Sequence, residues 1–167
     1  KGRETEKRHF KMKETEVMLW KANEETGMYR IKIVRDRGSG CLTCVTACVV
    51  SHESNDARNR VVIDSQSKCA PIFCRHCDKP ECVYTCMTGA MHKNPDTGFI
   101  EYDKNKCASC YMCIMACPYG VLKSDRMEHK EIMKCDMCVH RTEDGSPKPM
   151  CVELCPMRAI TLEEVDI

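Results

Sequence analysis

The sequence predicts an α+β protein made of two modules sharing one chain, with short strands, short helical turns and cysteine loops. Three observations carry that reading. Fifteen of the sixteen cysteines fall into four closely spaced groups. The segments between groups alternate in polarity, or carry turn chemistry, over only a few residues, which suits short strands and hairpins. A unit also repeats: a cysteine group, a last cysteine, then a small apolar strand. The strands are Gly89-Ala90-Met91 after Cys86, Gly120-Val121-Leu122 after Cys117 and Arg158-Ala159-Ile160 after Cys155.

Residues 1–27 are polar and charged. Glu4, Glu6, Glu14, Glu16, Glu24 and Glu25 read as a solvated face, while Phe10, Val17, Met18 and Trp20 stand loosely at helical spacing. This is a charged N-terminal extension, with a partner-docking arm anchored by Trp20 as its functional reading. Tyr29-Arg30-Ile31-Lys32-Ile33-Val34 alternates and predicts a strand that feeds the first cysteine group. Val61-Val62-Ile63 is a second strand candidate. Asn94-Pro95-Asp96-Thr97-Gly98 is turn chemistry between Ala90-Met91 and Phe99-Ile100-Glu101-Tyr102, and predicts a hairpin. Asp144-Gly145-Ser146-Pro147 marks a loop inside the last cysteine group. Residues 28–167, which hold every cysteine, read as one domain after the extension.

Composition limits what such a chain can be. Hydrophobic residues make up 43%, but that figure counts sixteen Cys and twelve Met, and aromatics are only 5%. So little bulky apolar material predicts that bound metal supplies much of the folding free energy. A net charge of +1 marks no nucleic-acid partner. No segment approaches the roughly 20 apolar residues needed to span a bilayer. Lys7-Arg8-His9-Phe10-Lys11 resembles a twin-arginine export signal only weakly, without the arginine pair or a following apolar stretch. C-x-x-C steps are too tight for ordinary disulfide bridges, so the chain reads as cytoplasmic and reduced.

The cysteine spacings carry the chemistry. The first group is Cys41-x2-Cys44-x3-Cys48 and the second is Cys74-x2-Cys77-x4-Cys82-x3-Cys86. The third is Cys107-x2-Cys110-x2-Cys113-x3-Cys117-Pro118, the bacterial ferredoxin run, in which three thiolates hold one cubane and the fourth ligates its neighbour. The fourth is Cys135-x2-Cys138-x12-Cys151-x3-Cys155-Pro156. Thiolate suits iron–sulfur chemistry because it is a soft, anionic donor. Zinc is the competing reading, since C-x2-C pairs a dozen residues apart also make zinc sites. Three close cysteines followed by Cys-Pro do not fit it. Aligning Cys48 as the crossing cysteine of the first group puts Gly38 where its first cysteine belongs.

Phe73-Cys74-Arg75-His76-Cys77-Asp78-Lys79-Pro80-Glu81-Cys82 and Lys134-Cys135-Asp136-Met137-Cys138 through Pro149-Met150-Cys151-Val152-Glu153-Leu154-Cys155-Pro156 are distinctive stretches. With them, residues 28–163 resemble the four-cluster, ferredoxin-like electron-transfer subunits that accompany molybdenum and tungsten pterin oxidoreductases, hydrogenases and carbon monoxide dehydrogenases. The dimethyl sulfoxide reductase beta-subunit is one type. The resemblance implies two intertwined bacterial-ferredoxin-like modules around iron–sulfur clusters, the inner at about 69–123 and the outer at 28–68 with 124–167. It also implies three 4Fe-4S cubanes, held by Cys74, Cys77, Cys82 and Cys117, by Cys107, Cys110, Cys113 and Cys86, and by Cys135, Cys138, Cys151 and Cys48. A fourth position would have only Cys41, Cys44 and Cys155. It is empty, holds a three-iron cluster, or borrows a ligand. Cys69 is the unassigned cysteine; using it would make sixteen ligands for four cubanes, but it lies outside the loop that should reach this corner and reads as a small buried hydrophobe. Asp36 and His52 are further candidate donors.

The partners implied are a catalytic oxidoreductase subunit in a hetero-oligomer, and a ferredoxin or another redox protein. A tungsten enzyme of the aldehyde oxidoreductase type, such as one serving benzoyl-coenzyme A reduction, is the specific expectation, with hydrogenase or carbon monoxide dehydrogenase as the alternative. No P-loop, Rossmann context or nucleophile elbow appears, which favours a wire over an enzyme acting alone. Two readings from other classes remain: an enzyme using open iron at the three-cysteine corner, and a zinc-binding interaction module. His76, between two ligands, reads as a partly exposed loop residue or a tuner of potential. Met87, Met112, Met115, Met137, Met150 and Met157 read as core filler around the clusters.

Overall fold

A computed structural model describes residues 28–125, 131–143 and 148–165. The charged extension 1–27 and the loop 144–147 lie outside the described residues. The strands are short and come in antiparallel pairs, each a sheet of two. β1 (Met28–Ile33) pairs with β8 (Ile160–Val165), from Met28↔Val165 to Ile33↔Ile160, so the first strand is closed by the last. β2 (Arg60–Ile63) pairs with β3 (Cys69–Ile72), β4 (Met91–Lys93) with β5 (Ile100–Tyr102), and β6 (Lys123–Ser124) with β7 (Ile132–Met133). Five helices of four to nine residues lie between them: α1 (Thr43–Ser51), α2 (Glu81–Tyr84), α3 (Met112–Ala116), α4 (Val139–Glu143) and α5 (Met150–Glu153). Two-stranded ribbons and helices this short are marginal by themselves, so their stability comes from what they pack around. No helix among the described residues is long and apolar enough to cross a membrane.

The expected strand at 29–34 and the hairpin around Asn94 form. The Asn94 side chain accepts from the Asp96 N–H at 2.9 Å, its carbonyl accepts from the Gly98 N–H at 2.9 Å, and Gly98 takes φ 66°. All three small apolar strands are displaced. Pairing begins at Met91, Lys123 and Ile160, not before, because Gly89 (φ 68°), Gly120 (φ 58°) and Arg158 (φ 49°) turn the chain through left-handed geometry first. Ala90, Val121 and Leu122 instead turn inward and are buried.

Two small apolar clusters make the core. The outer one gathers Ala47, Phe73, Phe99, Met137 and Ile160 with Cys44, Cys135 and Cys151. The inner one gathers Met91, Ile100, Val121, Leu122 and Ile132 with Cys113. Cys74 packs against both. Met137 is buried as expected, at 1% exposed. Met87, Met112, Met115 and Met157 are not core filler: they are 95%, 47%, 80% and 48% exposed. In α3 only Cys113 is buried, so Met112 and Met115 on the same short helix face outward.

The outer elements are locked by a charged clamp. The carboxylate of Asp136 accepts from His52 Nε2 at 2.9 Å, from the Arg58 guanidinium at 2.6 Å and from the Cys138 N–H at 3.0 Å. The last bond pins a turn in which Met137 (φ 61°) and Cys138 (φ 54°) are both left-handed. Burial disfavours the charge on Asp136, but the His52 hydrogen bond and the Arg58 cation hold its carboxyl well below the usual range. Burial likewise opposes the charge on His52, yet bonds to Asp136 and Cys48 raise it to about 9. Replacing Asp136 by Asn removes the charge that pairs with both cations. The variant is expected to lose about 2 kcal/mol, read as bleaching of the visible absorbance at lower guanidinium concentration than wild type.

Candidate metal centres

The internal repeat positions the cysteines. The 3-10 turn Lys104–Lys106 delivers Cys107 at φ −75°, ψ 123°, and the left-handed Tyr111 (φ 59°, ψ 7°) starts α3, which carries Cys113. The first group copies this backbone. The 3-10 turn Arg35–Arg37 delivers Gly38 at φ −72°, ψ 114°, and the left-handed Leu42 (φ 60°, ψ 6°) starts α1, which carries Cys44 and Cys48. Gly38 is therefore the structural counterpart of Cys107. The second and fourth groups match each other in a second way: Pro80 opens α2, with Cys82, and Pro149 opens α5, with Cys151.

Among the described residues, three pockets are each lined by four cysteines. Cys74, Cys77, Cys82 and Cys117 line one. Cys86, Cys107, Cys110 and Cys113 line a second. Cys41, Cys44, Cys155 and also Cys69 line a third. Cys48 acts electrostatically on Cys138, Cys48 and Cys138 act on Cys151, and Cys151 acts on Cys135, with all four buried. Neither Asp36 nor His52 lines the cavity of the first group. Asp36 is exposed and pairs with Lys68 at 2.6 Å, while His52 belongs to the Asp136 clamp.

Crowding raises the thiols. Cys82 is pushed up to about 12 by burial and then by the charges of Cys74 and Cys117. Cys113 is pushed to about 11 by burial, with Cys86, Cys107 and Cys110 adding to it. Burial sends Cys135 and Cys151 far higher. Four anionic sulfurs cannot share a low-dielectric site unless cations neutralise them. The donor set therefore fits soft, thiolate-binding metal. The same electrostatics order the sets: Cys74 acts on Cys135, and Cys44 acts on Cys151. The Cys74 set, the Cys135 set and the Cys41 corner are thus successive neighbours, with the corner at one end.

Polar hydrogens reach several sulfurs. Backbone N–H groups of Arg58, Met91 and Ala159 donate to Cys48, Cys86 and Cys155 at 3.2, 3.3 and 3.2 Å. These are the three last cysteines of their groups. The Thr43 hydroxyl donates to Cys41 at 3.4 Å. Such bonds stabilise negative charge on sulfur.

His76 departs from expectation. It is 2% exposed, not a surface loop residue, because its ring packs on Phe99 at 4.8 Å and its Nδ1 accepts the Ile100 N–H at 3.0 Å. Burial and then the charge of Lys134 hold it neutral. Lys134, itself buried, donates to the carbonyl of Cys135 at 2.8 Å. It is a cation between the Cys74 and Cys135 sets that the cysteine pattern gave no reason to single out.

Residues 65–165 match the 4Fe-4S dicluster domain family. The B subunit of the anaerobic dimethyl sulfoxide reductase of Escherichia coli strain K12 is 34% identical over 158 residues, covering 84% of this chain and 76% of the relative. Electron transport protein HydN of the same strain is 33% identical over 145 residues, covering 72% of this chain and 79% of the relative. A chain of the solved active-site complex BamBC of benzoyl coenzyme A reductase is similar at 26% identity, 84% of this chain and 80% of that one, with a TM-score of 0.46. The cysteine spacing, the family match and the extent of the dimethyl sulfoxide reductase likeness agree, and the chain belongs to the 4Fe-4S dicluster domain family.

Proposed function

We propose that this chain is a non-catalytic electron-transfer subunit that relays single electrons through a row of iron–sulfur clusters. The observation that carries the reading is the gathering of thiols into four-cysteine sets, in which burial and then neighbouring thiols raise Cys82, Cys113, Cys135 and Cys151. The names of the relatives, a reductase B subunit and an electron transport protein, support it.

In this reading Cys74, Cys77, Cys82 and Cys117 hold one 4Fe-4S cubane; Cys107, Cys110, Cys113 and Cys86 a second; Cys135, Cys138, Cys151 and Cys48 a third. Bound there, the clusters supply one-electron redox chemistry. The chain's own residues hold the iron, exclude water and set the electrostatics. Backbone N–H donors at Cys48, Cys86 and Cys155 and the buried ammonium of Lys134 favour the more negative, reduced state. The closing of β1 by β8 around a middle that carries β4 and β5 supports two intertwined ferredoxin-like modules, inner at about 69–123 and outer at 28–68 with 124–167.

The electron partners are a catalytic oxidoreductase subunit, of the tungsten or molybdenum pterin class, and a ferredoxin or other redox protein, in the cytoplasm. The 1–27 extension is the docking arm. Exposed Tyr84, Met87, Met112 and Met115 offer apolar surface near the inner sets.

Purified anaerobically, the protein is expected to be brown with about twelve or more iron atoms, four per cubane, and matching acid-labile sulfide. A colourless protein carrying zinc and no sulfide would sink the reading. Cys74→Ser and Cys107→Ser are expected to alter different EPR signals in the dithionite-reduced protein. If both erased the same signal and left the other intact, the ligand sets as drawn would be wrong.

A further inference from the structure

The first group has a glycine where its structural twin has Cys107, and that glycine is not there for backbone freedom. At φ −72° any residue fits. It is there for space. A Cβ on Gly38 would lie 2.2 Å from the carbonyl oxygen of Cys69, a backbone atom that cannot step aside. Two residues on, Gly40 takes φ +72°, and a Cβ there would meet Cys69 Sγ at 2.9 Å and Cys69 Cβ at 3.2 Å. The Gly-Ser-Gly loop is therefore hollowed around one residue. The side chain that fills the hollow is a cysteine.

The β2–β3 hairpin brings it there. Cys69 opens β3 and pairs with Ile63, and Val61 and Pro71 of the same hairpin line the cavity beside it. That pocket is lined by Cys41, Cys44, Cys69 and Cys155. The pockets of the second and third groups are also lined by four cysteines each. Cys69 is only half-buried, so it is not the fully enclosed small hydrophobe that an inert thiol usually is. A polar hydrogen also reaches the corner, where the Thr43 hydroxyl donates to Cys41 at 3.4 Å.

We propose that Cys69 supplies the ligand missing at Gly38, so that Cys41, Cys44, Cys69 and Cys155 hold a fourth 4Fe-4S cubane. This rests on the iron–sulfur reading of the other three sets and extends it. The row then ends on a complete cluster instead of an open iron, and all sixteen cysteines are ligands. Its fourth ligand arrives from a hairpin thirty-one positions after the vacant one (69 minus 38), not from the loop itself.

Two measurements on the anaerobic protein decide it. Wild type is expected to hold about sixteen iron atoms, four per cubane. Native-state alkylation with iodoacetamide, read by peptide mass spectrometry, is expected to leave Cys69 unmodified until the clusters are removed by acid. Cys69→Ser and Cys41→Ser should each change the same single EPR signal, by loss or by conversion to a three-iron signal, and leave the others in place. Alkylation of Cys69 in the iron-loaded protein would overturn the proposal, as would a Cys69→Ser spectrum identical to wild type. About twelve iron atoms in wild type would overturn it while leaving the three-cluster reading intact, whereas zinc without sulfide would end both. The alkylation result needs no variant, so a Cys69→Ser chain that fails to fold leaves the outcome decided.

Discussion

Sulfur crowding is the constraint on which everything else in this molecule depends. Four thiols drawn into one small cavity repel each other as thiolates, and burial penalises each charge again. Cys82 and Cys113, pushed to about 12 and 11, record that cost at the inner sets. Only multiple cations bound at the sulfurs reverse its sign, turning the most expensive feature of the chain into the one that holds it together. The rest of the architecture is what such centres permit. Paired strands of two to six residues and helices of four to nine could not persist alone, and the two apolar clusters contain few large side chains. They pack around the centres and close the ends.

The same constraint leads from fold to function. A helical turn that places Cys82 in one set and leads on to Cys86 in another makes neighbouring centres inevitable. So does α3, which carries Cys113 and ends at Cys117. The first and fourth groups repeat the device with α1 and α5, and the Asp136 clamp ties α1 to the cysteine turn of the fourth group. Centres linked in this way form a row, and a row of one-electron centres is a wire. N–H donors to Cys48, Cys86 and Cys155 recur at the last cysteine of three groups, which indicates that charge on these sulfurs is managed by backbone geometry.

Much of this was legible in the sequence because the relevant information is local. The C-x2-C steps, the Asn94–Gly98 turn and the alternation at 29–34 each act over a few residues, and the structure has the corresponding loops, hairpin and strand. What could not be read depends on contacts between distant segments. His76 looks like a loop residue by neighbourhood, yet Phe99 and Ile100 bury it. Met87 and Met115 look like filler by composition, yet both side chains stand exposed, Met115 on the outer face of α3. Cys69 looks stray by spacing, yet strand pairing with Ile63 brings it against Gly38 and Gly40. The signal for it was present as a parity: one group short by one, and one cysteine left over.

The central claim is that bound iron and sulfide, not the apolar core, hold this fold. Stripping iron anaerobically with a chelator while following far-UV circular dichroism and amide proton NMR dispersion tests it directly. The account predicts that dispersion collapses as the visible absorbance disappears, and that iron and sulfide together restore both. An iron-free, reduced chain that keeps its native dispersion would contradict it.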